Sequence, residues 1–222
     1  MATIHPDTYS FLKELNKNNN RDWFNTNRSR YLEIREGFIG FLEDIYPELV
    51  AFDQEVQGAD LRKSVFRINR DIRFSDDKSP YKTSVAAAII AGGRRKFSEY
   101  SGYYIHLENG DSLIAGGAYM PPSPWISSIR AKIDRESSRF RSIIEAPDFV
   151  KNFGSIEGEK LKGAPRGFKA DDPNIDLLRF KSFLAVRNLS EKEVLDRNFG
   201  SLFIETARAL KPLNDFLNEA TL

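Results

Sequence analysis

A chain of 222 residues with 33 basic and 32 acidic side chains has a formal net charge of +1, which argues against whole-molecule attraction to nucleic acid or an anionic membrane. Hydrophobic content of 41% and charged content of 29% fit an ordinary globular protein long enough to bury one substantial core. The lack of cysteine excludes disulfides, thiolate zinc sites and cysteine nucleophiles. No apolar run approaches the ~18 residues of a membrane helix, and the first ten residues lack a signal-peptide layout, so a cytoplasmic protein with no membrane partner is expected.

Pro6 suits the first position of a helix whose apolar face holds Tyr9, Phe11, Leu12 and Leu15. The run Asn18, Asn19, Asn20 breaks that helix, and one of the three caps the next. From Arg21 onward, Phe24, Tyr31, Ile34, Phe38, Phe41, Leu42 and Ile45 recur at helical spacing. They predict one long amphipathic helix that ends or kinks near Pro47.

The period then changes to two, and a strand is predicted over residues 63–70. Phe66, Ile68, Ile72 and Phe74 fall on one face, and Arg67, Asn69, Asp71 and Arg73 project from the other. Residues 75–80 have turn chemistry. Residues 84–91 read as a buried strand of small side chains. Gly92-Gly93 turns the chain into a basic loop, Arg94, Arg95 and Lys96. Asn109-Gly110 joins the predicted hairpin strands 102–108 and 111–120, and Gly116-Gly117 marks a bulge or a close backbone approach.

Ser123 before Pro124 predicts a capped helix with Trp125, Ile126, Ile129 and Ile133 inward. Helical pattern continues through Phe140, Ile143 and Ile144 and, after Pro147, to Phe153, with Gly154 as C-cap. Residues 154–169 read as a basic loop, followed by a helical turn from Asp172-Pro173 to Leu178 and a strand over 182–187. Ser190 with Glu193 forms a capping box for C-terminal helices broken near Gly200 and Pro212. Strands in the middle with helices at both ends predict one α+β domain with a mostly antiparallel central sheet.

Charge is distributed unevenly. Residues 1–60 hold 6 basic and 11 acidic side chains, whereas residues 61–100 hold 10 and 4. The basic excess centres on residues 66–82, FRINRDIRFSDDKSPYK, where like charges two apart on a strand sit roughly 7 Å from one another and repel by ~2 kcal/mol at an effective dielectric near 20. Either local aspartates or a bound anion must compensate this row. Arg67, Arg70, Arg73, Lys78 and Lys82 are the candidate ligand cations, joined by Arg166 from a second basic stretch, LKGAPRGF at 161–168, because arginine grips carboxylates and phosphates with a planar fork. Asn69 and Tyr81 would orient a ligand. Asp71 or Asp77 would act as base if there is chemistry, and His106, between Tyr104 and Glu108 on its strand, is a third candidate. The pocket requires the two basic stretches to meet across the sheet. The competing arrangement is an internal salt-bridge core in which Asp71, Asp76 and Asp77 satisfy the arginines, with Arg70 on the apolar face needing a buried partner.

The only histidines, His5 and His106, lie outside any metal-ligand spacing, so no metal site is expected, and the sequence implies no cofactor. Walker A, G-x-G-x-x-G and G-x-S-x-G patterns are absent. The remaining classes are a domain binding or acting on a small phosphorylated or carboxylated ligand, a nucleic-acid binder using the basic loops, and a non-enzymatic interaction module.

The string FRINRDIRFSDDKSPYK, with NNNRDWF at 18–24, GYYIHLENG at 102–110, GGAYMPP at 116–122, LKGAPRGF and LKPLNDFL at 210–217, resembles the bacterial and fungal family DUF2461, one of the domains of unknown function. The resemblance runs from about Phe11 to Leu217. Ile72 stands where the family often has threonine. It implies a single intact domain and no particular activity.

Overall fold

The computed structural model describes residues 3–93, 96 and 98–220. Helix α1 (Thr8–Lys17) buries Tyr9, Phe11, Leu12 and Leu15, with Pro6 in the turn before it. Asn20 caps α2 (Arg21–Thr26), its side-chain oxygen accepting from the Trp23 N–H at 3.0 Å. The predicted single long helix is broken at Asn27, whose side-chain amide turns back to donate to the Trp23 carbonyl at 2.9 Å. Helix α3 (Arg28–Phe52) then runs through Pro47 without ending there. A proline costs one intrahelical bond, and burial of Ile34, Phe38, Phe41, Leu42, Ile45 and Leu49 along one side outweighs that loss.

Asp53 opens a 3-10 turn (Gln54–Val56), and Asp60 caps α4 (Leu61–Ser64). The strand predicted over residues 63–70 is therefore a helical turn followed by an extended segment. That segment runs beside the first strand through single bridges, Val65 to Ala87 and Asn69 to Tyr81. Phe66 donates to the Ala86 carbonyl (2.9 Å), Lys82 to Ile68 (2.7 Å) and Arg70 to Pro80 (2.9 Å). Pro80 has no N–H to return the last bond, so the ladder stops there.

The sheet is β1 (Ser84–Ile90), β2 (Gly102–Glu108), β3 (Ser112–Ala118) and β4 (Phe183–Leu189), antiparallel throughout and in the order β1-β2-β3-β4. Its register places Val85, Ala87, Ile89, Tyr103, Ile105, Ile114, Phe183 and Ala185 on one face, and Ala86, Ala88, Tyr104, His106, Leu113, Ala115, Leu184 and Val186 on the other. Gly110 takes the left-handed conformation (φ 79°) that the hairpin turn requires.

The remaining helices are α5 (Ser123–Arg135), α6 (Ser137–Ile144), α7 (Pro147–Phe153), α8 (Ile175–Leu178), α9 (Glu191–Val194) and α10 (Phe199–Asn218). Pro122 rather than Ser123 occupies the cap of α5. The Ser190–Glu193 capping box of α9 is formed, and Gly154 ends α7 with φ 71°. The break expected near Gly200 is present, as the non-helical residues 195–198 between α9 and α10, and the one expected near Pro212 is not. Gly200 sits in the first turn of α10 and Pro212 in its interior, and the buried stripe Phe203, Ala207, Leu210, Leu213 and Phe216 keeps the helix continuous. Helix α10 packs on β3 and α3 and closes the core, where Phe11, Phe38, Phe41, Phe140, Phe183, Phe199, Phe203 and Phe216 are fully buried. The result is a single α+β domain, its antiparallel sheet covered by N- and C-terminal helices.

Candidate functional site

The alternation predicted for residues 66–74 holds only while the chain is tied to β1. Ile68 is buried, but Phe74 is 95% exposed, because the chain leaves the sheet edge after Arg70. Arg70 is held within the loop that follows. Its guanidinium donates to Asp77, Ser79 and Ser75. Arg73 makes a bidentate pair with Asp71, Nε to Oδ1 at 2.9 Å and Nη2 to Oδ2 at 2.6 Å, and lies over the Phe74 ring. Lys78 donates to the Ile72 carbonyl at 3.1 Å. Asp77 accepts from the Ser79 N–H and hydroxyl, both at 2.9 Å. These bonds, led by the Ser79 N–H and then Arg70, hold the Asp77 carboxyl down at about 2. Asp71 is lowered chiefly by Arg73. A carboxylate held ionised this firmly is a poor proton acceptor. The arginine–aspartate pairs expected of a salt-bridge core are thus present for Arg70 and Arg73, but on the surface: the Asp77 side chain is 63% exposed and that of Arg73 76%.

Tyr81 anchors the end of the loop. The Asn19 side chain brackets its peptide, donating to the Tyr81 carbonyl (2.9 Å) and accepting from the Tyr81 N–H (3.1 Å). The Tyr81 ring stacks on Phe24 with centroids 4.0 Å apart. The asparagine run and the SPYK segment, 62 residues apart, are therefore one joint.

Against this joint lies a cleft of about 1100 Å³. Arg28 and Arg35 reach it from α3, Arg62 and Lys63 from α4, and Arg67 from the extended segment; Asp60 is the one lining carboxylate among the described residues. Arg35 and Arg62 both pair with Glu36, at 3.0 and 2.8 Å, and Lys63 pairs with Asp60 at 2.6 Å. Arg28 and Arg67 have no ion-pair partner among the described residues. Asn69 and Tyr81 also line this cleft. A neighbouring recess of about 500 Å³ holds Arg70, Asp77, Lys82, Glu108 and, again, Tyr81.

The predicted residues are thus divided. Arg67, Asn69 and Tyr81 face the first cleft, Arg70, Asp77 and Lys82 the second, and Arg73, Asp71 and Lys78 decorate the loop. Arg166 lies apart from all of them. Its loop runs along β4, tied by Glu157 to Leu184 and by the Leu161 N–H to the Arg179 carbonyl at 2.8 Å, and β4 is the edge of the sheet opposite β1. The two basic stretches do not meet. Of the basic loop, Arg94 and Arg95 lie outside the described residues, and Lys96 pairs with Glu99. Arg28, Arg35, Arg62 and Lys63 are absent from the sequence-derived set. Arg28, Tyr31, Leu32 and Arg35 form an i, i+3, i+4, i+7 stripe on α3, so the signal was available.

His106 lies between two partners. Its Nε2 is 2.9 Å from the Glu108 carboxylate and its Nδ1 2.9 Å from the Tyr104 hydroxyl. His106, Glu108 and Asp111 present donor atoms within 4.8 Å of one another. The hydrogen bond from Nε2 to Glu108 occupies the direction a metal on that nitrogen would take. Among the described residues no helix is long and apolar enough to cross a membrane. No curated protein and no solved structure matches the chain. The model of one family does match, over residues 7–216, and the chain accordingly belongs to DUF2461, described as conserved hypothetical protein.

Proposed function

We propose that the cleft between α3, α4 and residues 65–69 binds a small anionic ligand, phosphorylated or carboxylated. One observation carries this reading: five cationic side chains converge on a cavity with a single lining carboxylate, and Arg28 and Arg67 have no ion pair among the described residues. Like charges brought together raise one another's energy, and an anion between them removes that cost while accepting forked guanidinium bonds. Arg28, Arg62 and Arg67 hold the charge. Asn69 and Tyr81, which also line the cleft, orient the ligand. Arg70 and Lys82 offer a second, smaller anchor beyond Tyr81, and Arg73, Lys78 and Arg166 contribute no more than long-range field.

The test is a thermal-shift and calorimetric panel at fixed salt with inorganic phosphate, sugar phosphates, nucleotides, dicarboxylates and short DNA and RNA. A ligand at 100 times its dissociation constant adds about 2.7 kcal/mol of stability. The expected result is a shift with one small anion that Arg67→Ala weakens about tenfold or more, or about 1.4 kcal/mol, and that Arg73→Ala leaves unchanged. A shift that survives in an Arg28→Ala, Arg67→Ala double variant removes the proposal. Binding only to DNA or RNA, falling steeply with salt, would replace it with nucleic-acid recognition.

A further inference from the structure

The sheet face turned away from α10 carries a different recess, of about 470 Å³, within the range of small-molecule sites (roughly 300–1,000 Å³). Its floor is made of Gly102, Ala115 and Gly117, where small residues leave the hollow, and its walls include Leu113, Leu184 and Val186. One end is polar. Tyr104 and His106, on one face of β2, line it together with Asp111 from the hairpin turn.

The hydrogen bonds at that end decide what it can recognise. The Glu108 carboxylate can only accept, so His106 Nε2 carries the proton of their 2.9 Å bond. In the tautomer with Nε2–H, Nδ1 is the acceptor, and the Tyr104 hydroxyl donates to it across 2.9 Å. Burial first, and then the charges of Glu108 and Asp111, raise the Tyr104 hydroxyl to about 12, so its proton stays in place. What Tyr104 Oη has left for a ligand is lone pairs. The recess asks for a donor.

Charge selects the kind of donor. Glu108 and Asp111 stand at facing ends of the two hairpin strands, and Asp111 has no ion-pair partner among the described residues. Two carboxylates side by side repel an anion and favour a cation, and a charge-assisted bond is stronger than a neutral one. A divalent ion would have to displace the Nε2 proton, and it would leave the apolar walls unused. We infer that this recess binds a small apolar amine, its ammonium donating to Tyr104 Oη beside Asp111 and its hydrocarbon lying on Leu113, Leu184 and Val186. The recess shares the Phe66 ring with the basic cleft and takes a ligand of opposite charge.

The experiment is calorimetry with three ligands of one skeleton: 2-phenylethylamine, 2-phenylethanol and phenylacetate. The amine is expected to bind, the alcohol about tenfold more weakly, and the carboxylate not at all. Tyr104→Phe keeps the ring and removes the acceptor, and should weaken the amine about tenfold or more. Because that variant also releases His106, Asp111→Asn in the exposed turn provides a second reading: it should weaken the amine and leave the alcohol unchanged. Val186→Trp should abolish binding of both. Arg67→Ala should change nothing, which separates this site from the basic cleft. Phenylacetate binding as well as the amine, amine affinity indifferent to Asp111→Asn and to Val186→Trp, or no amine binding at millimolar concentration each overturns the inference.

Discussion

Asn19 shows how a single polar side chain can matter more than a row of charges. Its amide supplies both a donor and an acceptor to the Tyr81 peptide, in the manner of a residue in a neighbouring strand. Replacing Asn19 by Ala leaves two partly buried backbone groups short of partners, at about 1–3 kcal/mol. Urea unfolding should show a lower midpoint at unchanged slope, and an unmoved midpoint would mean that water replaces the amide fully. The arginines nearby behave differently. Arg73 and Asp71 form a well-shaped pair, but in open solvent, where the gain in attraction is offset by hydration and side-chain entropy. Arg73→Ala should leave the same midpoint in place.

Two glycines of β3 set how closely its neighbours approach. A Cβ on Gly116 would lie 2.2 Å from Leu210 Cδ2 and 2.4 Å from the Gly102 carbonyl oxygen, and one on Gly117 would lie 2.0 Å from the Phe183 carbonyl oxygen. Gly117 also has φ 106°, a conformation side chains rarely adopt. These two positions let α10 and β4 close on β3 together. Gly117→Ala is expected to destabilise by about 1–3 kcal/mol or more, read as a drop in the thermal midpoint, whereas Gly110→Ala has open space around its Cβ and suffers only from its backbone angle. The two long helices make the complementary point. Pro47 and Pro212 mark local weakness in α3 and α10, and neither ends its helix, because the buried stripe continues on both sides of each proline.

At the scale of the molecule, charge pairs tie the C-terminal helix to the rest. Glu219, just past α10, accepts from Arg139 of α6 at 2.7 and 2.6 Å and faces Lys132 of α5 at 2.8 Å. Arg139 first, and Lys132 against the opposing effect of burial, bring the Glu219 carboxyl from 4.5 to about 2. Asp77 falls likewise from 3.8 to about 2. Both folded values lie below the unfolded ones, so each contribution is complete above about pH 4.5 and disappears as the pH falls through about 2. Stability measured by urea unfolding should be lost over that window, and Glu219→Gln should make the loss shallower while lowering stability at neutral pH. An unchanged acid profile would show that Glu219 is not differently protonated in the two states. The same large-scale view explains the basic cleft. The N-terminal segment is acidic in sum, yet Arg28 and Arg35 are the part of it that turns toward Arg62 and Arg67.

The sequence by itself determined the local chemistry: the cap at Asn20, the Asn109-Gly110 hairpin, the capping box at Ser190, the close approach at Gly116-Gly117 and the α+β order of elements. Each of these depends on residues a few positions apart, whose backbone preferences act before any tertiary contact forms. The Tyr104–His106–Glu108 face was legible for the same reason, since strand alternation alone aligns those three side chains. The tertiary structure decided everything that depends on distance across the fold. It turned residues 63–70 from a strand into a helical turn and a bridged edge, because the Asp60 cap and the missing N–H of Pro80 outweighed alternation. It sent Arg166 to the far edge of the sheet, and it brought Arg28 and Arg67 to one cleft. Convergence of side chains 30 or 40 residues apart is set by how helices pack on the sheet, and no local pattern encodes that.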